Sequence, residues 1–193
     1  TCHAGFLPGL EVEFRENTGW MLPGKYVETV VVPTIDWEWG PPTQETWHGL
    51  NPNGLVKSWK QFGLLIRGFI YISNAGWYDF CLRSDDGSKL FLDSKLEETI
   101  DNAKYQSMTQ KCESQYMSPG FHPFHVRYSQ GDQYCGLTMD VAGPTWLDQN
   151  KFGKATLRKD WLWYAKVCTD STCSGHGVCE SVNTDPPYGV PYN

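Results

Sequence analysis

The sequence predicts an all-β protein, a sandwich or barrel built from many short strands. Three observations carry that expectation. Nine Trp, ten Tyr and nine Phe stand among 193 residues, and aromatic side chains favour pleated, half-buried surfaces. Apolar residues recur at every second position, the mark of a strand with one buried face. The apolar runs are short and punctuated by Gly, Pro, Asn and Asp, and no stretch reads as a helix longer than a turn or two.

The elements follow in order. "GLEVEFRE" sets Leu10, Val12 and Phe14 against Glu11, Glu13 and Arg15, and "YVETVVV" continues in β-branched residues as far as Pro33. "IDWEWGPP" stops at Gly-Pro-Pro; Trp37 and Trp39 share one face of that strand and read as packing. "NPNG" at 51–54 is dense turn chemistry. "LLIRGFIYI", "GWYDFCL", "KLFLD", "FHVRYS" and "YCGLTMDV" complete the set. Tyr78, Phe80 and Leu82 share one face of their strand, with Cys81 opposite; Cys135, Leu137, Met139 and Val141 share a face of theirs. Residues 94–118 lack a strand period and read as a long surface excursion.

Length allows one domain of ordinary size plus a fragment of a second. The boundary falls near Val167, giving a β-domain over 1–167 and a short segment over 168–193 that packs three cysteines into twelve positions and has almost no aliphatic residues. Such a segment needs disulfides to hold it. A net charge of −6 without a basic cluster argues against nucleic acid. No apolar run approaches the ~20 residues of a membrane span. The opening "TCHAGFLPGL" has neither Met nor a signal pattern, which suggests a processed or excised chain. Seven cysteines without a C-x2-C pair favour disulfides, and so an extracellular or cell-surface setting.

"RSDDGSK" sets two aspartates, Asp85 and Asp86, between two strands. Neighbouring side chains diverge along a regular strand, and Asp-Gly is ordinary turn chemistry. Four segments in order, "GLEVEFRE", "VPTIDWEWGPP", "IRGFIYISNAGWYDFCLRSDDGSKLFLD" and "SPGFHPFHVRYSQGDQYCGLTM", resemble the PA14 domain, named for the anthrax toxin protective antigen. The resemblance covers roughly residues 6–165. It implies a β-sandwich or barrel in a secreted or surface protein. It also implies a cis Asp85–Asp86 peptide, and in adhesin members of the family a calcium ion held by the consecutive aspartates to bind carbohydrate. Family members commonly carry Gly where Ser94 follows "LFLD" here.

Calcium takes six to eight oxygen ligands, several of them carboxylate. Beside Asp85 and Asp86, the loop "SQGDQY" offers side-chain oxygens from Gln130 and Asp132 and a closely approaching backbone carbonyl at Gly131. The resemblance places the family's second metal-binding loop there. A calcium with open positions can accept vicinal sugar hydroxyls. Trp47, Tyr105 and Tyr134 stand in predicted loops and are the candidate ligand-binding rim.

Catalytic readings fail on geometry. No "GxSxG" elbow is present, and adjacent carboxylates cannot flank a glycosidic bond from opposite sides at ~5 Å or more. The protein is therefore expected not to be an enzyme. His122 and His125 point to opposite faces of their strand, which disfavours a zinc pair. "CTDSTCSGHGVC" resembles the opening of an epidermal-growth-factor-like module, which implies that Cys168 pairs with Cys179 while Cys173 pairs beyond Asn193. Cys2, Cys81, Cys112 and Cys135 then remain for two bridges; three connectivities are open, with Cys112–Cys135 and Cys2–Cys81 favoured. The expected function is a calcium-dependent carbohydrate-binding domain in adhesion, with a glycan or glycoprotein partner. The alternative is a structural module that contacts neighbouring modules of an extracellular assembly.

Overall fold

The structure is a computed structural model. It describes residues 2–16, 18–41, 47, 49–50, 53, 55, 59–143, 162–166 and 179–181, of which 2–5, 166 and 179–181 are described in their backbone only. The described residues form strands and connections and no helix; none of them is therefore in a helix long and apolar enough to cross a membrane.

Period-2 alternation produces two antiparallel sheets face to face. The larger contains β1 (Cys2–Pro8), β2 (Leu10–Glu16), β3 (Lys25–Val32), β5 (Gly63–Ile72), β7 (Gly87–Leu92), β8 (Ile100–Asn102), β10 (Gly120–Ser129), β12 (Leu162–Lys166) and β13 (Cys179–Ser181). The smaller contains β4 (Asp36–Gly40), β6 (Gly76–Asp85), β9 (Thr109–Met117) and β11 (Cys135–Ala142), in the order β4-β11-β6-β9. β5 is the hub of the larger sheet. It pairs with β10 along its whole length, and its other edge is shared by β2 over Gly63–Arg67 and β12 over Phe69–Ile70. β13 runs parallel to β1, with Cys2 opposite Cys179 in register.

The core lies between the sheets. Leu10, Val12, Phe14, Phe80, Leu82, Cys135, Leu137 and Met139 are fully buried, so the predicted inward faces of β2, β6 and β11 are those that turn inward. Aromatic rings fill one end of the sandwich: Trp37 stacks on Trp47 at 5.3 Å, Phe14 on Phe62 at 5.1 Å, and Trp47 contacts Phe62 and Tyr128 at 5.6 and 5.7 Å.

Three expectations are corrected. Residues 94–118 are not a featureless excursion but supply β8 and the nine-residue strand β9. β9 is an edge strand paired only with β6, and Met117 alone among its residues is buried, so no apolar period marks it. The disulfide of the β-domain joins Cys81 to Cys112, directly opposite one another on β6 and β9. Cys135 is a buried free thiol. β6 lies between β9 and β11, and Cys135 faces the core while Cys81 lies on the outward-facing alternation of β6, so neither the Cys112–Cys135 nor the Cys2–Cys81 bridge forms. Burial, followed by the charges of Asp85 and Asp86, raises the Cys135 thiol pKa well above its ordinary value, which keeps it protonated and inert. Cys168, expected to pair with Cys179, and Cys173, expected to pair beyond Asn193, lie outside the described residues.

Ser94 sits in a tight turn closed by the Lys95 N–H donating to the Leu92 carbonyl at 3.1 Å, and Asp93 and Ser94 have φ of 54° and 56°. Two central residues with positive φ define the turn type that favours glycine. Replacing Ser94 with Gly is expected to stabilise the protein by about 0.5–1 kcal/mol, measured by urea denaturation, because the left-handed conformation costs glycine nothing.

Candidate functional site

β6 ends at Asp85 in the smaller sheet and β7 begins at Gly87 in the larger, so Asp86 is where the chain crosses between sheets. The Asp85–Asp86 peptide is cis. Both acids are buried, at 8% and 9% exposure, and neither enters an ion pair among the described residues. Two adjacent buried carboxylates without a cation are costly unless polar groups or an ion compensate them.

Neutral donors supply part of that compensation. The Trp39 indole N–H donates to Asp85 Oδ2 at 2.7 Å. Asp86 Oδ1 accepts the Gln106 N–H at 3.0 Å, and Oδ2 accepts the Gly131 N–H at 2.9 Å. One carboxylate thus ties together the loops at 103–108 and 130–134. The backbone of the corner is held as firmly: the Asp86 N–H donates to Gln130 Oε1 at 2.9 Å, and the Asp86 carbonyl accepts the Ser84 hydroxyl at 2.8 Å and the Gln106 amide at 3.3 Å. Beneath it, Ser84, Ser88 and Asn102 form a buried polar cluster, with Ser84 Oγ 2.8 Å from Ser88 Oγ and 3.3 Å from Asn102 Nδ2. The Tyr128 hydroxyl lies between the Asp85 carbonyl and Gln130 Oε1, joining the aromatic core to the corner.

Burial raises the Asp85 pKa, the Trp39 hydrogen bond lowers it, and the Asp86 charge raises it again; the net direction is up. The Tyr128 phenol is raised far above its ordinary value, by burial first and then by the charges of Asp85 and Asp86. The corner is thus a region of concentrated negative potential that a cation would relieve.

The predicted site residues separate on this geometry. Asp85 and Asp86 stand together at the corner, and Asp132 lines a pocket of about 450 Å³ with Asp86, Gly131, Trp20, Gln61 and Tyr105. Gln130 is not available as a ligand. It is 3% exposed, its oxygen accepts from the Asp86 N–H, and its nitrogen donates to the Tyr134 carbonyl at 2.7 Å and the Asp132 carbonyl at 3.3 Å. Gln130 is a strut that fixes the loop against the corner. Gly131 presents its N–H to Asp86, while its carbonyl accepts the Gln61 N–H at 2.7 Å, which leaves that oxygen one lone pair. A Cβ at this position would lie 3.2 Å from Asp86 Oδ2, so glycine permits the approach.

Tyr105 and Tyr134 are exposed, at 74% and 47%, and so meet the accessibility that a ligand-binding rim needs. Trp47 does not; it is fully buried in the aromatic core. Two aromatic residues not expected there stand beside these tyrosines. Trp39 is 48% exposed because a bulge between β4 and β11 breaks the alternation that would have placed it beside buried Trp37, and its ring contacts Tyr134 at 4.7 Å. Trp20 packs on Tyr105 at 4.1 Å and covers Gly87, where a Cβ would lie 2.7 Å from the indole.

The residues at the corner can accept a hard cation in part. The hydrogen bonds engage Asp85 Oδ2 and one lone pair on each Asp86 oxygen, leaving carboxylate lone pairs open. Among the described residues no group of three or more His, Cys, Asp or Glu side chains is gathered to hold a metal. A calcium here would therefore draw on backbone carbonyls such as that of Gly131, and on water or ligand hydroxyls.

A two-sheet β-sandwich with a buried Asp-Asp corner at the sheet crossing defines the class of protein. The family model of the PA14 domain matches residues 11–148, and the chain belongs to that family. Among solved structures, the chain is similar to an anti-sigma factor domain-containing protein from Clostridium clariflavum, with a TM-score of 0.66 and 19% identity over 84% of this chain and 49% of that one. It is similar to the PA14 sugar-binding domain of an RTX adhesin, with a TM-score of 0.61 and 13% identity over 82% and 99% of the two chains. It is also similar to the epithelial adhesin 9 A domain from Candida glabrata, in complex with Galb1-3GlcNAc, with a TM-score of 0.61 and 12% identity over 83% and 90%. At these identities the likeness is one of fold. The chain spans 49% of the length of the anti-sigma factor proteins it resembles. No curated protein matches the sequence.

Proposed function

We propose that this protein is a calcium-dependent carbohydrate-binding domain that acts in adhesion outside the cell. The observation that carries this reading is the pair Asp85–Asp86: two buried carboxylates side by side, without an ion pair among the described residues, at a corner held by seven hydrogen bonds with six residues rather than left as a loose turn. Asp85 and Asp86 would hold the ion, with the Gly131 carbonyl and water completing its shell and Asp132 on the wall of the adjoining pocket. Bound calcium would supply positions for vicinal sugar hydroxyls. Tyr134 with Trp39, and Tyr105 with Trp20, would offer ring faces for the apolar side of a sugar. Gln130, Gln106 and Tyr128 would hold the corner in shape. The sugar-binding adhesin structures that share this fold support the reading.

A glycan array probed with and without chelator tests it. The wild-type protein is expected to bind a discrete set of glycans in millimolar calcium and to lose them on chelation, and an Asp86→Asn variant is expected to bind none. Absence of binding to every glycan, or binding indifferent to chelator, overturns the reading.

A further inference from the structure

The larger sheet carries a second concavity on its outer face, away from the Asp-Asp corner. Alternation fixes which side chains reach it: Val12, Ile66, Val126 and Leu90 face the core and are fully buried, so their neighbours Glu11, Arg67, His125 and Phe91 face outward. Register aligns these four in one row across β2, β5, β10 and β7. A cleft of about 470 Å³, within the size range of small-molecule sites, opens over Glu11, Arg67 and His125 of this row, and Phe69, Pro123 and Arg127 also line it.

The charges in this cleft are unequal. Arg67 is tied to Glu11 at 3.7 Å and to Glu13 at 3.3 Å. Lys89, opposite Arg127 in the next row, is engaged by Glu98 at 2.6 Å and Asp101 at 3.4 Å. Arg127 enters no ion pair among the described residues. Its guanidinium carbon lies 5.0 Å from the centre of the Phe91 ring, which itself stacks on His125 at 4.3 Å. The ring contact orients the guanidinium while leaving its N–H fork free for an acceptor. Burial, then the charges of Arg127 and Arg67, lowers the pKa of His125, so the imidazole adds no further positive charge to the cleft. Glu98 lies within electrostatic reach of Arg127 without pairing with it, so a cation without an ion pair of its own stands beside an apolar wall in a chain whose formal net charge is −6.

We propose that this cleft is a second binding site, for a ring-bearing organic anion: a carboxylate or sulfate ester meets the guanidinium of Arg127, and the ring lies against Phe69 and Pro123. A guanidinium pairs with either group through two parallel hydrogen bonds, so the shared chemistry is a planar or tetrahedral oxyanion on a flat apolar body.

Titration of the intact protein with phenylacetate, phenyl sulfate and neutral benzyl alcohol, followed by calorimetry and by the NMR signals of the His125 ring, tests this. At least one anion is expected to bind and to shift His125, with benzyl alcohol weaker by about tenfold or more, since a hydrogen bond to a charged group contributes about 1.5–3 kcal/mol. Comparison of the two anions identifies which oxyanion the site takes. Arg127→Ala is expected to weaken that anion by about tenfold, Arg127→Lys by less, and Asp86→Asn not at all. If Arg127→Ala fails to fold, Arg127→Lys carries the test through its several-fold loss. Binding by neither anion, equal binding of benzyl alcohol, or affinity untouched by changing Arg127 overturns the proposal.

Discussion

Asp86→Ala is expected to destabilise the protein by about 2–3 kcal/mol in urea denaturation and to strip the Gln106 and Gly131 amides of their hydrogen-exchange protection. Asp86 Oδ1 and Oδ2 each accept one of those N–H groups, and no other residue is positioned to accept both. A hydrogen bond to a charged group contributes about 1.5–3 kcal/mol, and orphaning a donor costs its desolvation. Two such losses do not sum in full, because removing Asp86 also relieves its repulsion of Asp85 and lets water reach the part-buried amides. The loss has a spatial signature: the loops at 103–108 and 130–134 loosen together, while β5 and β10 keep their protection. A destabilisation below about 0.5 kcal/mol, the ordinary range of surface substitutions, would show that the carboxylate does not hold the loops.

Trp47→Ala is expected to cost more, about 4 kcal/mol, within the range of Phe or Trp truncation in protein cores. Trp47 is fully buried and touches Trp37, Phe62 and Tyr128. Its loss opens a cavity beneath Tyr128, whose hydroxyl reaches the Asp85 carbonyl, so the corner softens as the core does. Trp47→Phe should retain most of the stability, because a ring still fills the space. The contrast with Tyr105→Ala is diagnostic. Tyr105 is 74% exposed, so that change is expected to leave stability within about 0.5 kcal/mol while weakening any ligand at the rim. Comparable stability losses for the two variants would return Trp47 to the surface.

Much of this was legible in the chain. Wherever one face of a strand is buried and the other wet, alternation is written into the sequence, and β2, β5, β6 and β10 follow it, while β11 is buried on both faces over Cys135–Met139. The Asp-Asp pair stood out because two acids between two strands break that alternation, but its reading as a cis corner came from the resemblance to the PA14 domain, since Asp-Gly alone is ordinary turn chemistry. What failed to show has physical causes. β9 buries one residue of nine, so no period marks it, and without β9 the partner of Cys81 could not be seen. Trp39 required knowledge of a bulge, a register feature between β4 and β11 that neither strand displays alone. Trp47 sits in a Pro- and Gly-rich stretch that reads as surface loop, yet it fills the core; composition cannot tell a loop that folds over from one that folds under. Gln130 was recognised as oxygen-bearing, but which way its amide faces depends on the backbone of Asp86, 44 residues earlier.

The most direct test of the Asp-Asp corner as a cation site is thermal unfolding of wild type and Asp85→Asn across a calcium titration. Asn keeps an acceptor for the Trp39 indole and removes one buried charge, so without calcium the variant should be at least as stable as wild type. The sign follows from the raised Asp85 pKa: the folded state binds that proton more tightly than the unfolded state, so its ionisation destabilises the fold above that pKa, and protonation or amidation removes the penalty. Wild type is expected to gain about 2.7 kcal/mol when calcium reaches a hundredfold its dissociation constant. That gain should shrink as the pH falls through the raised Asp85 pKa, because proton and ion compete for one carboxylate. Asp85→Asn should gain nothing. A wild type whose unfolding ignores millimolar calcium, or a variant that shares its gain, would contradict a calcium site at Asp85–Asp86.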